Sequence, residues 1–149
     1  MLQIPSERKE IIKKKHQIVI KHLDALHAAL TKLNQAYQTS PTYPHVRLSA
    51  VRAFEVAFHA LCSYMAERVG MIYEFEQPET SAGMIFEAAF QKHILSQEDY
   101  VGCLELVAVY GMTGQVFDGD IAEEICHDID ELFPVMCTAA EYTPEDLSL

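Results

Sequence analysis

Hydrophobic side chains recur at helical spacing along the first half of the chain. From about Ser6 to Tyr37 the apolar positions follow steps of three and four residues, as expected for one face of a long helix. They are Ile12, Val19, Leu23, Leu26, Leu30, Leu33 and Tyr37. A second seam runs from about Val46 to Val69 and consists of Val51, Phe54, Phe58, Leu61 and Met65. Two prolines in "QTSPTYPH" (38–45) predict a turn between these helices, and Gly70 is a natural stop for the second.

Three shorter helices are predicted in the second half of the chain. The first covers about 80–92, with Ile85, Ala89 and Phe90 facing inward. Ser96 is the predicted N-cap of the next helix, which runs through Val101, Leu104 and Val107 toward the glycines. The last helix begins near Asp118 or Asp120. Its buried stripe is Ile121, Ile125, Ile129, Leu132 and Met136, and Pro134 is expected to bend or end it.

Three glycines interrupt the region between the last two predicted helices. Gly111, Gly114 and Gly119 lie in "AVYGMTGQVFDGDIAEEI" (108–125), and each costs a helix about 1 kcal/mol relative to alanine. The chain must reverse direction here, and Gly111 and Gly114 would permit a left-handed or irregular turn. The glycines therefore predict a helix–helix junction.

These elements predict the fold class and the domain organisation. No alternating strand pattern competes with the helices, so the sequence predicts an all-α protein, an up-and-down bundle of four or five helices. A length of 149 residues fits one domain with a real core. We expect this domain to span 1–149, with its core at about 6–140 and a frayed tail at 141–149.

The charge is strongly negative and unevenly distributed. The formal net charge is −11, and the chain from His93 onward contains 13 acidic residues and no Lys or Arg. Phosphate backbones would be repelled by that half, so direct binding of nucleic acid is not expected. The acidic surface is interpreted either as a solvated face or as a docking face. The longest uncharged stretch, 106–117, is too short to span a bilayer, so no membrane association is expected.

The sequence has no motif for catalysis or for a cofactor. Its four cysteines form no CxxC pair, which favours free thiols in a reducing cytoplasm. The seven histidines are scattered without an HExxH spacing, so no metal site is predicted. GxSxG, GxxxxGK[ST] and GxGxxG are all absent. We therefore expect no cofactor and no catalytic residue.

Two stretches resemble a known family. In the second helix, "AFEVAFHALCS" (53–63) has the aromatic–acidic pattern of the nucleotidyltransferase substrate-binding proteins, helical bundles of the HEPN superfamily, at Phe54, Glu55 and Phe58. The family's Arg-Asn-x-x-x-His-x-Tyr-Asp motif aligns with "YGMTGQVFD" (110–118). Thr113, Phe117 and Asp118 fit that motif. The resemblance covers about residues 8–140 in helix order and spacing.

Two departures from the motif bear on activity. In HEPN ribonucleases the Arg and His form the catalytic pair, and here those positions are Tyr110 and Gln115. A glutamine side chain has no proton to exchange near neutral pH, and a tyrosine has no positive charge. The resemblance, with this loss, implies a scaffold that binds rather than an enzyme.

The resemblance implies a non-catalytic binding protein, the substrate-binding partner of a separate minimal nucleotidyltransferase subunit in a toxin–antitoxin-like pair. It also implies a homodimer and a nucleotide ligand. The candidate binding residues are Phe54, Glu55, Tyr110, Thr113, Gln115, Phe117 and Asp118. Two alternatives stay open: a diverged ribonuclease or toxin in which Arg47, Arg52 or Arg68 converges with His59, and an interaction module unrelated to nucleotides.

Overall fold

A computed structural model of the chain describes residues 6–144, and these residues form five α-helices without a strand. The helices are α1 (Ser6–Gln35), α2 (Tyr43–Val69), α3 (Pro78–Gln91), α4 (Gln97–Met112) and α5 (Gly119–Ala139). A short 3-10 turn, Thr113–Gln115, follows α4. The prediction of an all-α, up-and-down helical bundle is confirmed. None of the described helices is both long and apolar enough to cross a membrane.

The two ends of α2 can be compared with the predicted turn before it and the predicted stop after it. Gly70 has φ +77°, the left-handed conformation that favours glycine, and ends α2 as predicted. The helix begins earlier than predicted, at Tyr43, and includes Pro44 in its first turn. Proline is accepted there because the first backbone N–H groups of a helix have no intrahelical partner. The predicted turn at 38–45 therefore ends three residues early.

The core lies between α1, α2 and α5 and extends to α3 and α4. The predicted seam of α1 is buried from Val19 to Leu33, and all five predicted residues of the α2 seam are buried. Tyr37 was predicted to be part of the α1 seam and is instead exposed. The reason is that α1 ends at Gln35, so the helical spacing does not reach this residue.

The buried face of α4 does not include all of its apolar residues. Val101 and Leu104 are 48% and 39% exposed. The buried residues of α4 are Gly102, Cys103, Leu106 and Val109. A Cβ atom on Gly102 would lie 2.8 Å from a methyl group of Val135, so the missing side chain lets α5 approach α4 closely. A pattern of apolar residues does not identify a glycine as buried, although Gly102 is where α4 and α5 come into contact.

Pro134 does not end α5, which continues to Ala139. Proline removes the N–H that would bond to the carbonyl of residue 130. Both Pro134 and Asp130 are exposed, so water can satisfy that carbonyl. Of the two predicted effects of Pro134, a bend or an end of the helix, the end is therefore wrong.

The connection at 70–77 determines the surroundings of the candidate site. It returns along α2, since the Tyr73 hydroxyl bonds to His59 in the middle of that helix. As a result, α3 begins near the end of α4, where Glu79 lies against Gly111. It ends near the end of α2, where the Lys92 amine donates to the Val69 carbonyl over 2.8 Å. The connection thus covers one side of α2.

The predicted tail begins at residue 141, and only its first part is described. Residues 141–144 follow α5, and the Tyr142 hydroxyl donates to the carboxylate of Asp24 on α1. Arg68 forms an ion pair with Glu141 over 3.1 Å. Residues 145–149 lie outside the described part of the chain.

Candidate functional site

Three segments meet around the imidazole of His59: the middle of α2, the last turn of α4 and the connection at 70–77. The Tyr110 hydroxyl lies 2.9 Å from Nε2 of His59, and the Tyr73 hydroxyl lies 2.7 Å from Nδ1. A neutral imidazole has one donor and one acceptor nitrogen. One tyrosine therefore donates to His59 and the other accepts from it. We call His59, Tyr73 and Tyr110 the tyrosine–histidine chain.

Aromatic rings surround the tyrosine–histidine chain. Four ring centroids lie between 5.1 and 6.0 Å from that of His59, and they belong to Tyr110, Phe75, Tyr73 and Phe58. Tyr110 stacks on Phe58 at 4.5 Å, which fixes its ring against the core. Phe75 lies over His59 from the connection and is itself exposed. The imidazole of His59 thus lies between the packed rings of Phe58 and Tyr110 and the exposed ring of Phe75.

Glu55 joins the tyrosine–histidine chain to the α4–α5 junction. The Thr113 hydroxyl donates to Oε2 of Glu55 over 3.1 Å and lies 2.8 Å from the carbonyl of Tyr110. Arg52 pairs with the other oxygen of the same carboxylate. Because Thr113 is buried, its hydroxyl requires such a partner. The carboxylate of Glu55 therefore has a fixed position one helical turn before His59.

The surroundings shift the pKa values of two members of the chain. Partial burial lowers the pKa of His59 from its ordinary 6.5, and the Glu55 carboxylate only partly opposes this shift. Burial raises the pKa of Tyr110, and the carboxylates of Glu55 and Glu79 raise it further. His59 is thus neutral and Tyr110 protonated at neutral pH. The site offers neutral hydrogen-bonding groups beside two carboxylates.

Of the seven candidate residues, the structure brings three together: Glu55, Tyr110 and Thr113. Phe54 is fully buried in the core, next to Phe58. Gln115 is exposed, and its side-chain amide donates to the Met112 sulfur over 3.8 Å. The remaining two are also on the junction surface. Phe117 is 89% exposed, and Asp118 caps α5 by accepting from two backbone N–H groups.

The junction is located as predicted, but its glycines act differently. Gly111 lies inside α4 and Gly114 in the 3-10 turn, and of the glycines in the described residues only Gly70 has a positive φ. Of the two predicted alternatives, a left-handed or an irregular turn, the left-handed turn is therefore wrong, and the junction is a 3-10 turn that contains Gly114. A Cβ on Gly111 would lie 3.0 Å from the Glu79 carboxylate, so this glycine permits a close approach of α3.

Sequence reasoning gave little weight to four residues of this site: His59, Tyr73, Phe75 and Glu79. Glu55 and His59 are four residues apart, which places both on one face of α2. The sequence alone could therefore have indicated that these two side chains are neighbours. Tyr73 and Phe75 lie in a non-helical connection, where periodicity gives no information. Glu79 is brought near by the path of α3, which the sequence pattern does not predict.

The other cations of α2 are bound away from His59. Arg47 pairs with Glu123 over 3.1 Å, and Arg68 pairs with Glu141 over the same distance. Within 6–144 there is also no group of three His, Cys, Asp or Glu residues that could hold a metal ion.

No family model, curated protein or solved structure matches this chain.

Proposed function

We propose that this chain is a non-catalytic binding protein, the substrate-binding partner of a separate minimal nucleotidyltransferase subunit in a toxin–antitoxin-like pair. The proposal includes a homodimer and a nucleotide ligand, which rest on the family resemblance alone. The single observation that supports binding over catalysis is the tyrosine–histidine chain. Both ring nitrogens of His59 are engaged by phenol hydroxyls of the same chain, which supports a positioning role for this histidine rather than direct contact with a substrate.

The α4–α5 junction is the proposed contact surface for the nucleotidyltransferase. Phe117 exposes almost its entire ring there, beside the exposed Gln115 and Met112. Large aromatic side chains of this kind contribute most to binding when a partner covers them. The Glu55–Thr113 bond lies directly beneath the junction and fixes the end of α4 on α2. The exposed ring of Phe117 thus lies close in the sequence to a segment that is fixed to α2.

The proposal is tested by capturing the tagged chain from its native host at native expression. We expect a nucleotidyltransferase to be recovered in stoichiometric amount. Phe117→Ala should reduce this recovery at least about tenfold, the size of effect expected of an interface hot spot. Ile72→Ala is the matched control, since Ile72 is also highly exposed but lies in the connection after α2. Full recovery with Phe117→Ala would place the contact elsewhere, and recovery without any nucleotidyltransferase would contradict the proposed partner.

A nucleotide ligand is tested separately with the purified chain. Titration with ATP, GTP, CTP or UTP should shift the NMR signals of His59 and of the Tyr110 amide. Tyr110→Phe should weaken binding of the active nucleotide, whereas Tyr100→Phe should not. Tyr100 stacks on Phe90 at 4.9 Å, near the start of α4, whereas Tyr110 lies in its last turn. Unchanged spectra with all four nucleotides would contradict this part of the proposal.

One observation favours a diverged ribonuclease as a second candidate. Arg52 lies seven residues before His59 on the same face of α2, about 10.5 Å along the helix axis. Its guanidinium is neutralised by Glu55 in this structure. If the chain cleaves RNA, the purified protein should degrade single-stranded RNA, and both His59→Ala and Arg52→Ala should abolish the cleavage. His127→Ala is the control, because His127 is an exposed residue of α5.

A further inference from the structure

The outer surface between α4 and α5 is an apolar groove. It has a volume of about 640 Å³ and is lined by Val101, Gly102, Leu132 and Val135, with Glu98 and Glu105 on its α4 side. Leu104 extends the apolar surface on the outer face of α4. α4 thus exposes apolar side chains toward solvent as well as burying them in the core. An exposed apolar groove rimmed by polar residues is typical of a surface that contacts another protein.

The acidic residues on this groove restrict what can cover it. Glu98 and Glu105 lie seven residues apart, on one face of α4 and about 10.5 Å apart along its axis. Asp128 lies one helical turn before Leu132 on the α5 side and is exposed. No Lys or Arg occurs in the sequence from His93 onward. A complementary surface must therefore present apolar side chains together with Lys or Arg.

A surface with these properties is present on α1 of the same chain. Ile11, Lys14, Ile18 and Lys21 follow steps of three, four and three residues and form one stripe along the helix. All four are exposed, and the two isoleucines are 44% and 49% exposed although the other side of α1 is buried. Lys14 and Lys21 lie seven residues apart, the same spacing as Glu98 and Glu105. We call these four residues the α1 stripe.

We infer that the α1 stripe of one copy of this chain docks in the α4–α5 groove of a second copy. Ile11 and Ile18 cover Val101 and Val135, while Lys14 and Lys21 pair with Glu98 and Glu105. Apolar burial supplies most of the free energy, and the paired charges set the register of the two helices. The inference deepens the homodimer included in the proposed function. It does not depend on the nucleotidyltransferase or on the nucleotide.

The experiment is a charge exchange between the two surfaces, measured by sedimentation velocity over a range of protein concentrations. One variant is Lys14→Glu with Lys21→Glu, and the other is Glu98→Lys with Glu105→Lys. We expect the wild type to self-associate, each variant alone to sediment as a monomer, and an equimolar mixture of the two to associate again. Lys9→Glu with Lys13→Glu is the matched control, because both lysines are exposed on α1 but lie outside the α1 stripe.

Circular dichroism verifies that each variant is folded, which is expected because all the changed side chains are exposed. A salt titration of the wild type gives a second readout that needs no variant, since added salt screens the paired charges and should weaken the association. A wild type that is monomeric at every concentration would overturn the inference. So would reversal variants that associate as the wild type does, or a mixture that stays monomeric. None of these results bears on the capture of a nucleotidyltransferase.

Discussion

The hydroxyl of Tyr110 lies 2.9 Å from Nε2 of His59, and this hydrogen bond ties the last turn of α4 to the middle of α2. The same imidazole is bound to Tyr73 in the connection that follows α2. One histidine thus connects three segments that are far apart in the sequence. Both tyrosines form hydrogen bonds to His59 inside a partly buried cluster.

Tyr110→Phe removes one hydroxyl from the tyrosine–histidine chain and keeps the ring that stacks on Phe58. We expect the free energy of unfolding to fall by about 1 to 2 kcal/mol, because a partly buried imidazole nitrogen loses its partner. Urea denaturation followed by circular dichroism measures the change. Tyr100→Phe is the control and should change stability by less than about 0.5 kcal/mol. Equal effects of the two substitutions would contradict a stabilising role for the Tyr110–His59 bond.

The lowered pKa of His59 predicts a loss of stability in mildly acidic solution. Its pKa in the folded state lies below the ordinary 6.5, so the unfolded chain binds more protons between these two values. Stability therefore falls as pH decreases below about 6.5 and is regained as pH rises through this window. His59→Gln should make the pH dependence shallower in a series of urea denaturations. His127→Gln is the control, because His127 is an exposed histidine of α5 far from His59 in the sequence.

Asp118 stabilises the start of α5 as an N-cap. Its carboxylate accepts from the backbone N–H groups of Asp120, over 3.0 Å, and Ile121, over 3.2 Å. Asp118→Ala should cost about 1 kcal/mol of unfolding free energy, and Asp118→Asn should cost much less, because asparagine is a comparable cap. Thermal denaturation measures both variants. If Asp118→Asn instead reduces partner capture while Tm is unchanged, Asp118 also contributes to binding.

Two helical glycines are expected to respond oppositely to alanine. Around Gly83 in α3, no atom lies within 4 Å of an added Cβ, so Gly83→Ala should stabilise the protein by about 0.5 to 1 kcal/mol. On Gly102 the new Cβ would lie 2.8 and 2.9 Å from the two Val135 methyl groups. A branched side chain cannot easily move aside, so Gly102→Ala should lower Tm. An increase in Tm for Gly102→Ala would mean that α4 and α5 separate at little cost.

The four cysteines are predicted to be unreactive in the folded protein. All are buried as free thiols, and burial raises the pKa of Cys103 to about 12 and that of Cys126 to about 11. The nucleophilic thiolate is therefore scarce at neutral pH. A colorimetric thiol reagent should label the chain only slowly without denaturant and should label all four thiols rapidly in guanidinium chloride. Rapid labelling of the folded protein would indicate local opening around the core.

The sequence by itself determined the helical fold, because helix formation depends on local spacing and local caps. The seam of α2, and that of α1 from Val19 to Leu33, are buried as their periodicity predicts. Ser96 accepts a hydrogen bond from the Asp99 N–H, which confirms the predicted cap of α4. These features involve residues within one or two helical turns of each other, so no information about distant segments is needed.

Only the tertiary structure decided which side of α4 is buried and which residues meet at His59. Val101 has the more apolar side chain, but Gly102 is buried because α5 approaches closely there. Likewise, Tyr73 and Tyr110 bond to one imidazole because the connection after α2 returns along that helix. Contacts of this kind depend on the path of the chain and on the distance between helices. Neither is encoded in the periodicity of a single helix.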